Sequence, residues 1–277
     1  MGTVDSADAR PVSALTIAGS DSGGGAGIQA DLKTFAAHGV HGLSAIAALT
    51  AQNTRGVTAV HVPPVSFLRA QLDALFADFR IGAVKLGMLA NAEVIHAVAD
   101  ALQYYREEGH AAPVVLDPVM VATSGARLLD PDALQALRTR LLPMATLITP
   151  NIPEAEWLLE RRIDSAPAAD AALEALRARG AKAVLLKGGH LPVPGPMVDR
   201  YGDGERLEQF VHERLELEGH GTGCTLASAI AANLCRGLPL LAACEAATAY
   251  VHGALLHASR PGLGHASVLG HFWERRG

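Results

Sequence analysis

The stretch Gly219-His220-Gly221-Thr222-Gly223-Cys224-Thr225-Leu226-Ala227 decides how this chain is read. Glycines alternate with polar residues and run directly into Ala-rich sequence reaching Arg236, which predicts a helix. A Gly-rich turn at a helix start aims several backbone N–H groups at one point, and the helix dipole adds positive potential there. Gly221, Thr222 and Gly223 therefore form an anion hole. Cys224 sits at its lip, where a thiol is expected to ionise more easily than in water. An anion hole with a base beside it suits phosphoryl transfer, in which positioning and charge stabilisation supply most of the catalysis. Taken alone, the stretch is as compatible with tight helix packing, Cys224 being a small core residue.

The bulk composition narrows the classes. Apolar residues make up 49% of the 277, and aromatics 4%, so a sizeable core built on Ala, Val, Leu and Ile is expected. Acids outnumber bases 28 to 23, for a net charge of −5, which argues against a nucleic-acid surface. Cys224, Cys235 and Cys244 are odd in number and form no C-x-x-C pair. A disulfide framework or zinc site is thus disfavoured, and a reducing cytoplasm is the expected home. Residues 1–12 read as a polar, flexible leader without the apolar run of a signal peptide. No apolar run reaches the ~18 residues of a membrane span, so no membrane partner is expected.

Short apolar runs alternate with longer amphipathic ones. Strands are expected over 14–18, 43–49, 83–86, 114–116, 147–148 and 183–186, and helices over 26–38, 65–79, 92–105, 130–142, 153–160 and 168–179. Such alternation implies βαβ units, a mostly parallel sheet and helices on both faces. The rhythm breaks after a Pro-rich loop at 191–196. A hairpin is expected there, with strands at 198–201 and 206–217 around Gly202-Asp203-Gly204, before closing helices over 222–236 and 240–257. One domain over 13–277 is the simplest reading.

A second Gly-rich segment, Gly19-Ser20-Asp21-Ser22-Gly23-Gly24-Gly25-Ala26-Gly27, follows the first strand and opens the first helix. Its spacing is not G-x-G-x-x-G, and the second expected strand ends in Ala47-Ala48-Leu49-Thr50 with no acid for a ribose. A dinucleotide-binding dehydrogenase is therefore disfavoured. No P-loop is present either. The segment fits close approach of a small ligand to the backbone, or simply a strand-to-helix turn needing positive φ.

Taken in order, Gly19–Asp31, Ala51-Gln52-Asn53-Thr54, Lys85-Leu86-Gly87-Met88-Leu89, Leu116-Asp117-Pro118-Val119-Met120, Ile148-Thr149-Pro150-Asn151-Ile152-Pro153-Glu154, Lys187-Gly188-Gly189-His190 and His220–Thr225 resemble the hydroxymethylpyrimidine/phosphomethylpyrimidine kinases, members of the ribokinase-like superfamily. The resemblance runs from Ala14 to the C-terminal helices. It implies a single α/β domain with a central, mostly parallel sheet flanked by helices on both faces. It implies ATP- and Mg²⁺-dependent phosphorylation of a pyrimidine alcohol and then of its monophosphate, in thiamine biosynthesis. It leaves a monovalent-cation requirement open, and it implies a homodimer.

The resemblance also assigns roles. Cys224 is the base toward the substrate hydroxyl, beside the anion hole of Gly221, Thr222 and Gly223. Gln52, Asp31, Gly19, Met88 and Val119 line the substrate pocket. Lys187 and Asn151 serve ATP, and Glu154 and Asp117 the metal. These residue types suit the tasks. A Gln amide offers a donor and an acceptor to an aminopyrimidine edge, and Met packs softly against a ring. A carboxylate supplies hard oxygen to Mg²⁺, and Lys screens phosphate charge. Each also has a plainer reading: a loop-capping amide for Gln52, core for Met88, helix N-terminal charge for Glu154, a turn for Asp117, a solvated strand end for Lys187, a surface acid for Asp31. His190 and His220 read as structural, because no metal-ligand spacing links the histidines. One departure is Glu216-Leu217-Glu218 before the anion hole, where relatives often carry Thr or Asn, which puts a nucleotide contact from that segment in doubt. Two other readings stand: a pyridoxal kinase on the same fold, and a non-catalytic pyrimidine-binding module, against which Cys224, Asn151 and Glu154 argue.

Overall fold

The computed structural model describes residues 10–120, 131–191 and 195–275. The leader at 1–9, the expected helix cap at Asp130 and the centre of the Pro-rich loop, 192–194, lie outside them. The strands are β1 (Val12–Asp21), β2 (His41–Asn53), β3 (Gly56–His61), β4 (Arg80–Leu86), β5 (Val114–Leu116), β6 (Leu147–Ile148), β7 (Val184–Leu186), β8 (Met197–Gly202) and β9 (Leu207–His212). They form one nine-stranded sheet in the order β3-β2-β1-β4-β5-β6-β7-β8-β9. From β2 to β7 the pairings are parallel, while β3, β8 and β9 are antiparallel additions at the edges. All parallel strands thus end on one edge, where open α/β sheets bind ligands.

Period-two alternation splits the core between the sheet's faces. Leu15, Ile17, Val84, Leu86, Val114 and Leu116 point to one side. There they meet α2 (Val65–Asp78), α3 (Ala92–Glu107), α4 (Pro131–Ala136), α5 (Ile152–Leu159) and α6 (Ala166–Ala178). Ala14, Ala83, Val115, Leu147 and Leu185 point to the other, toward α1 (Gly27–Ala37), α7 (Thr222–Cys235) and α8 (Leu240–Leu256). The small sheet residues on this second face admit α7 close to the strands, its Ala227, Ala229, Ala231 and Ala232 fully buried. Among the described residues no helix is long and apolar enough to cross a membrane.

Several expectations shift. β3 was not anticipated; four of its six residues are exposed, so it carries no buried alternation. β9 stops at His212 rather than Leu217. The helix expected to reach Leu142 is α4 followed by a π-turn over Leu137–Leu141. A two-stranded sheet of β10 (Gly219–His220) and β11 (Ser267–Val268) pins the loop ahead of α7.

Beneath that helix start lies a charged inclusion. Lys85, on β4, is fully buried and donates to both Asp31 oxygens, at 2.9 and 2.8 Å. Thr16 and Ser228 donate to the same carboxylate at 2.6 and 2.7 Å. Burial opposes the Lys85 charge, and Asp31, together with Asp117 and Cys224, outweighs it, so the ammonium stays protonated. Asp31 was expected both as a pocket residue and, alternatively, as a surface acid. It is neither: it is fully buried and absent from the cavity wall, because its carboxylate is needed under β4.

Lys85→Met strands that carboxylate without its counter-charge. Loss of about 3–5 kcal/mol of stability is expected, read by urea unfolding. The pair replacement Asp31→Leu/Lys85→Met should recover most of it, and a neutral single variant would remove the pair from the stability argument.

Candidate active site

One cavity of about 700 Å³ opens at the carboxyl edge of the sheet. It gathers nearly every residue singled out from the sequence. Gly19, Gln52, Met88 and Val119 line one part. Gly221, Thr222, Gly223 and Cys224 form the α7 start, and Asp117, Asn151, Glu154 and Lys187 line the rest.

At the helix start, Gly221 is left-handed with φ of 83°. A Cβ there would lie 2.1 Å from the Gly25 carbonyl oxygen, so both its conformation and its neighbour demand glycine. Thr225 N–H closes the first helical bond onto Gly221 O at 2.9 Å. The amides before it have no partner within the helix, and their residues line the cavity. Cys224 departs from expectation. Burial pushes its thiol up to about 11; Lys85 and a Gly27 N–H pull it down, while Asp31 and Asp117 add to the rise. Removal from water outweighs the helix start.

The second cluster comes from consecutive strand ends. Asp117 follows β5, Asn151 follows β6 and Lys187 follows β7. Asn151 and Glu154 form a reciprocal cap on α5: Glu154 N–H donates to Asn151 Oδ1 at 2.9 Å, and Asn151 N–H to Glu154 Oε2 at 2.8 Å. Glu154 is thus both helix charge and cavity wall. Lys187 is no solvated strand end: its Nζ lies 2.9 Å from Asp117 Oδ1 and 3.7 Å from Glu154 Oε2. Burial raises Glu154 to about 7; Lys187 opposes this and Asp117 reinforces it. A Cβ on Gly223 would come 2.9 Å from Lys187 Nζ, so the anion hole and this cluster touch.

On the opposite wall, a Cβ on Gly19 would lie 2.6 Å from Met88 Sδ, so glycine at 19 leaves room for the Met88 thioether. Gln52 lies beside His220. Four cavity residues to which the sequence assigned no ligand role stand out, one of them, His220, having read as structural. His220 and Asp21 form a buried pair, 3.0 Å apart. Asp199, raised to about 6 by burial, accepts from Gly188 N–H at 2.7 Å and so braces the turn after Lys187. Trp157 reaches the same cavity from α5, still 42% exposed. Only Asp21 had a visible cue, its place among glycines.

The family model for phosphomethylpyrimidine kinase matches residues 21–269. A hydroxymethylpyrimidine/phosphomethylpyrimidine kinase of Rhizobium meliloti is 50% identical over 265 residues, 95% of this chain and 97% of its own. A solved phosphomethylpyrimidine kinase of Clostridium difficile superposes with a TM-score of 0.78 at 40% identity, over 88% of this chain and 99% of its own. The pyridoxal kinase of Staphylococcus aureus, solved with AMP-PCP and pyridoxal, superposes at 0.86 with 31% identity, over 97% of this chain and 96% of its own. The fold is the ribokinase-like one, and the chain belongs to the phosphomethylpyrimidine kinase family.

Proposed function

We propose that this chain transfers the γ-phosphoryl group of ATP to the hydroxyl of 4-amino-5-hydroxymethyl-2-methylpyrimidine, and then to the phosphate of the product, in thiamine biosynthesis. The observation that carries this reading is the convergence, in one cavity, of a ring-sized wall, a helix-start anion hole and a lysine–carboxylate cluster. Relatives named as pyrimidine kinases share 40–50% identity with the chain, against 30–32% for the pyridoxal kinases, which favours the pyrimidine over pyridoxal.

Gln52 would meet the aminopyrimidine edge, with Met88 and Val119 packed on the ring. The amides of Gly221, Thr222, Gly223 and Cys224 would hold the oxygens of the transferring group, and Lys187 would balance their charge. Asn151 orders the Glu154 carboxylate through its cap. Among the described residues no group of three or more His, Cys, Asp or Glu could hold a metal alone. Asp117 and Glu154 nevertheless fit Mg²⁺, which binds through one or two carboxylates, its own waters and substrate phosphates. Burial, with Asp117 beside it, holds Glu154 up to about 7, and a cation bound there would favour its charged form. The ion would neutralise charge on the phosphates. A homodimer in the cytoplasm completes the proposal; light scattering at micromolar concentration tests the dimer, and a monomer there rejects it.

Cys224 would take the proton of the attacking hydroxyl. The second acceptor is a phosphate oxygen, already ionised, and needs no base. Cys224→Ala should therefore slow the alcohol reaction by roughly 10²–10⁴-fold and the monophosphate reaction far less. Equal losses in the two steps would assign Cys224 to the anion hole alone. With the thiol near 11, the thiolate share rises about tenfold per pH unit below that. The alcohol step should accelerate from pH 7 to 9 in the wild type and lose that slope in Cys224→Ala.

Glu154→Gln keeps the shape of the α5 cap and removes the charge. Half-maximal turnover should need several-fold more Mg²⁺; superimposable Mg²⁺ titrations would strike Glu154 from the metal's surroundings.

A further inference from the structure

A short polar chain on the ring side of the cavity plays no part in phosphoryl transfer as described. His220 Nε2 lies 3.0 Å from Asp21 Oδ2 and 3.2 Å from the Gln52 amide nitrogen. The Gln52 amide oxygen lies 3.1 Å from Thr50 Oγ1. The Thr50 hydroxyl also lies 2.9 Å from the Ser20 carbonyl oxygen, to which it donates. Asp21, Thr50, Gln52 and His220 all line the cavity.

Donor and acceptor accounting assigns the protons. The Asp21 carboxylate accepts from the N–H groups of Gly23, Gly25 and Ala26. Burial opposes its charge, but His220 and those amides hold it below the usual carboxylate range. It is ionised and can only accept, so His220 Nε2 carries a proton. The other tautomer would set a lone pair against the carboxylate. Thr50 has one proton and two acceptors in reach, Ser20 O at 2.9 Å and Gln52 Oε1 at 3.1 Å; the shorter bond to Ser20 takes the proton, which leaves Thr50 to meet Gln52 with a lone pair. An amide nitrogen facing the His220 N–H and an amide oxygen facing the Thr50 lone pair are mismatched at both ends. Turning the amide by half a turn exchanges two groups of nearly equal shape. His220 N–H then donates to Gln52 Oε1, shared with Asp21, and Gln52 Nε2 donates to Thr50 Oγ1. The neighbours permit one sense of the amide.

An amide held at both ends keeps one N–H and one oxygen lone pair side by side on its free edge. The substrate cannot choose its own orientation, because its hydroxymethyl group must reach the start of α7. The amide oxygen is on the His220 side, next in sequence to Gly221, where the amine neighbouring the hydroxymethyl carbon would fall. A 4-amino ring offers N–H to that oxygen and a ring nitrogen to the amide N–H. A 4-oxo ring presents the reverse pattern, which only a turned amide could satisfy.

We propose that His220, anchored by Asp21 and seconded by Thr50, is a positioning residue that fixes the sense of the Gln52 amide and thereby makes the pocket select a 4-amino over a 4-oxo pyrimidine. This rests on the reading that a pyrimidine alcohol is the substrate and that Gln52 meets its edge.

Calorimetric dissociation constants for the 4-amino and 4-oxo forms of 5-hydroxymethyl-2-methylpyrimidine test it, in wild type, His220→Phe, Thr50→Val, Gln52→Ala and His220→Phe/Gln52→Ala. Phe keeps the ring's bulk and removes its N–H, and Thr50→Val supplies an independent probe should His220→Phe fail to fold. His220→Phe should weaken the 4-amino ring roughly three- to tenfold, the size of one neutral hydrogen bond. It should also strengthen the 4-oxo ring, because the released amide can turn. Thr50→Val should narrow the preference in the same direction, and His220→Phe should change nothing further once Gln52 is alanine. A ring preference kept in His220→Phe or Thr50→Val, an equal loss for both rings, or a His220→Phe effect that persists in the Gln52→Ala background overturns the positioning role alone. A full 4-amino preference in Gln52→Ala overturns the ring-reading role of Gln52 and this proposal with it, and a wild type that binds neither ring overturns the substrate assignment as well.

Discussion

The site depends on one carboxylate. Asp21 ends β1 and accepts Gly23 N–H on Oδ1 at 2.7 Å, and Gly25 and Ala26 N–H on Oδ2 at 3.0 and 2.8 Å. The same Oδ2 meets His220, 199 residues away. Hydrogen bonds to a charged acceptor are worth about 1.5–3 kcal/mol each, so this clamp competes well with the flexibility of the Gly-rich loop. It joins the loop leaving the first strand to the loop entering α7. The glycines follow from the join: a Cβ on Gly27 would sit 2.4 Å from Gly19 O, and one on Gly25 2.4 Å from the His220 ring. A side chain at Gly25 would push the two loops apart, and one at Gly27 would break the turn of the first loop on itself.

Charge is layered beneath and beside that join. Below it, Lys85 and Asp31 cancel within the protein, held by four hydrogen bonds to one carboxylate. Beside it, Lys187 stands among Asp117, Glu154 and Asp199 and does not cancel them. Burial raises both Glu154 and Asp199; Asp117 adds to the rise at Glu154, while Lys187 and Arg200 pull Asp199 back down. A binding cation would relieve the cluster, whereas the pair under the helix needs nothing from outside. The first is therefore suited to a site that fills and empties, the second to a fixed floor.

The sheet was legible in the sequence because its central strands are short apolar runs between amphipathic helices, and each period maps to one face. β3 was not, since its residues are largely exposed and its pairing with β2 is all that makes it a strand. The ligating types at Asp117, Asn151, Glu154 and Lys187 were visible, and parallel topology brings their strand ends together. Asp31 defeats both of its readings, pocket residue by resemblance and surface acid by its place one turn after Ile28, because it is fully buried. Its partner Lys85 lies 54 residues on, and only the fold places it underneath. His220 and Thr50 stayed hidden for the same reason. Their meaning lies in contacts across the sheet edge, and no local pattern encodes them.

Cys224 shows how magnitude decides between two correct arguments. A helix start stabilises a nearby anion by about 0.3–1 kcal/mol, and up to ~2 in a partly buried site. That is roughly one pKa unit or slightly more. Cys224 is only half-buried by its exposure, yet the protein packed around the thiol removes enough water to push it up to about 11, and the acids Asp31 and Asp117 add to the rise. The thiol therefore rests protonated, and incoming phosphates would raise it further. A base of this kind suits a loose phosphoryl transfer, in which the attacking hydroxyl becomes strongly acidic only as its bond to phosphorus forms.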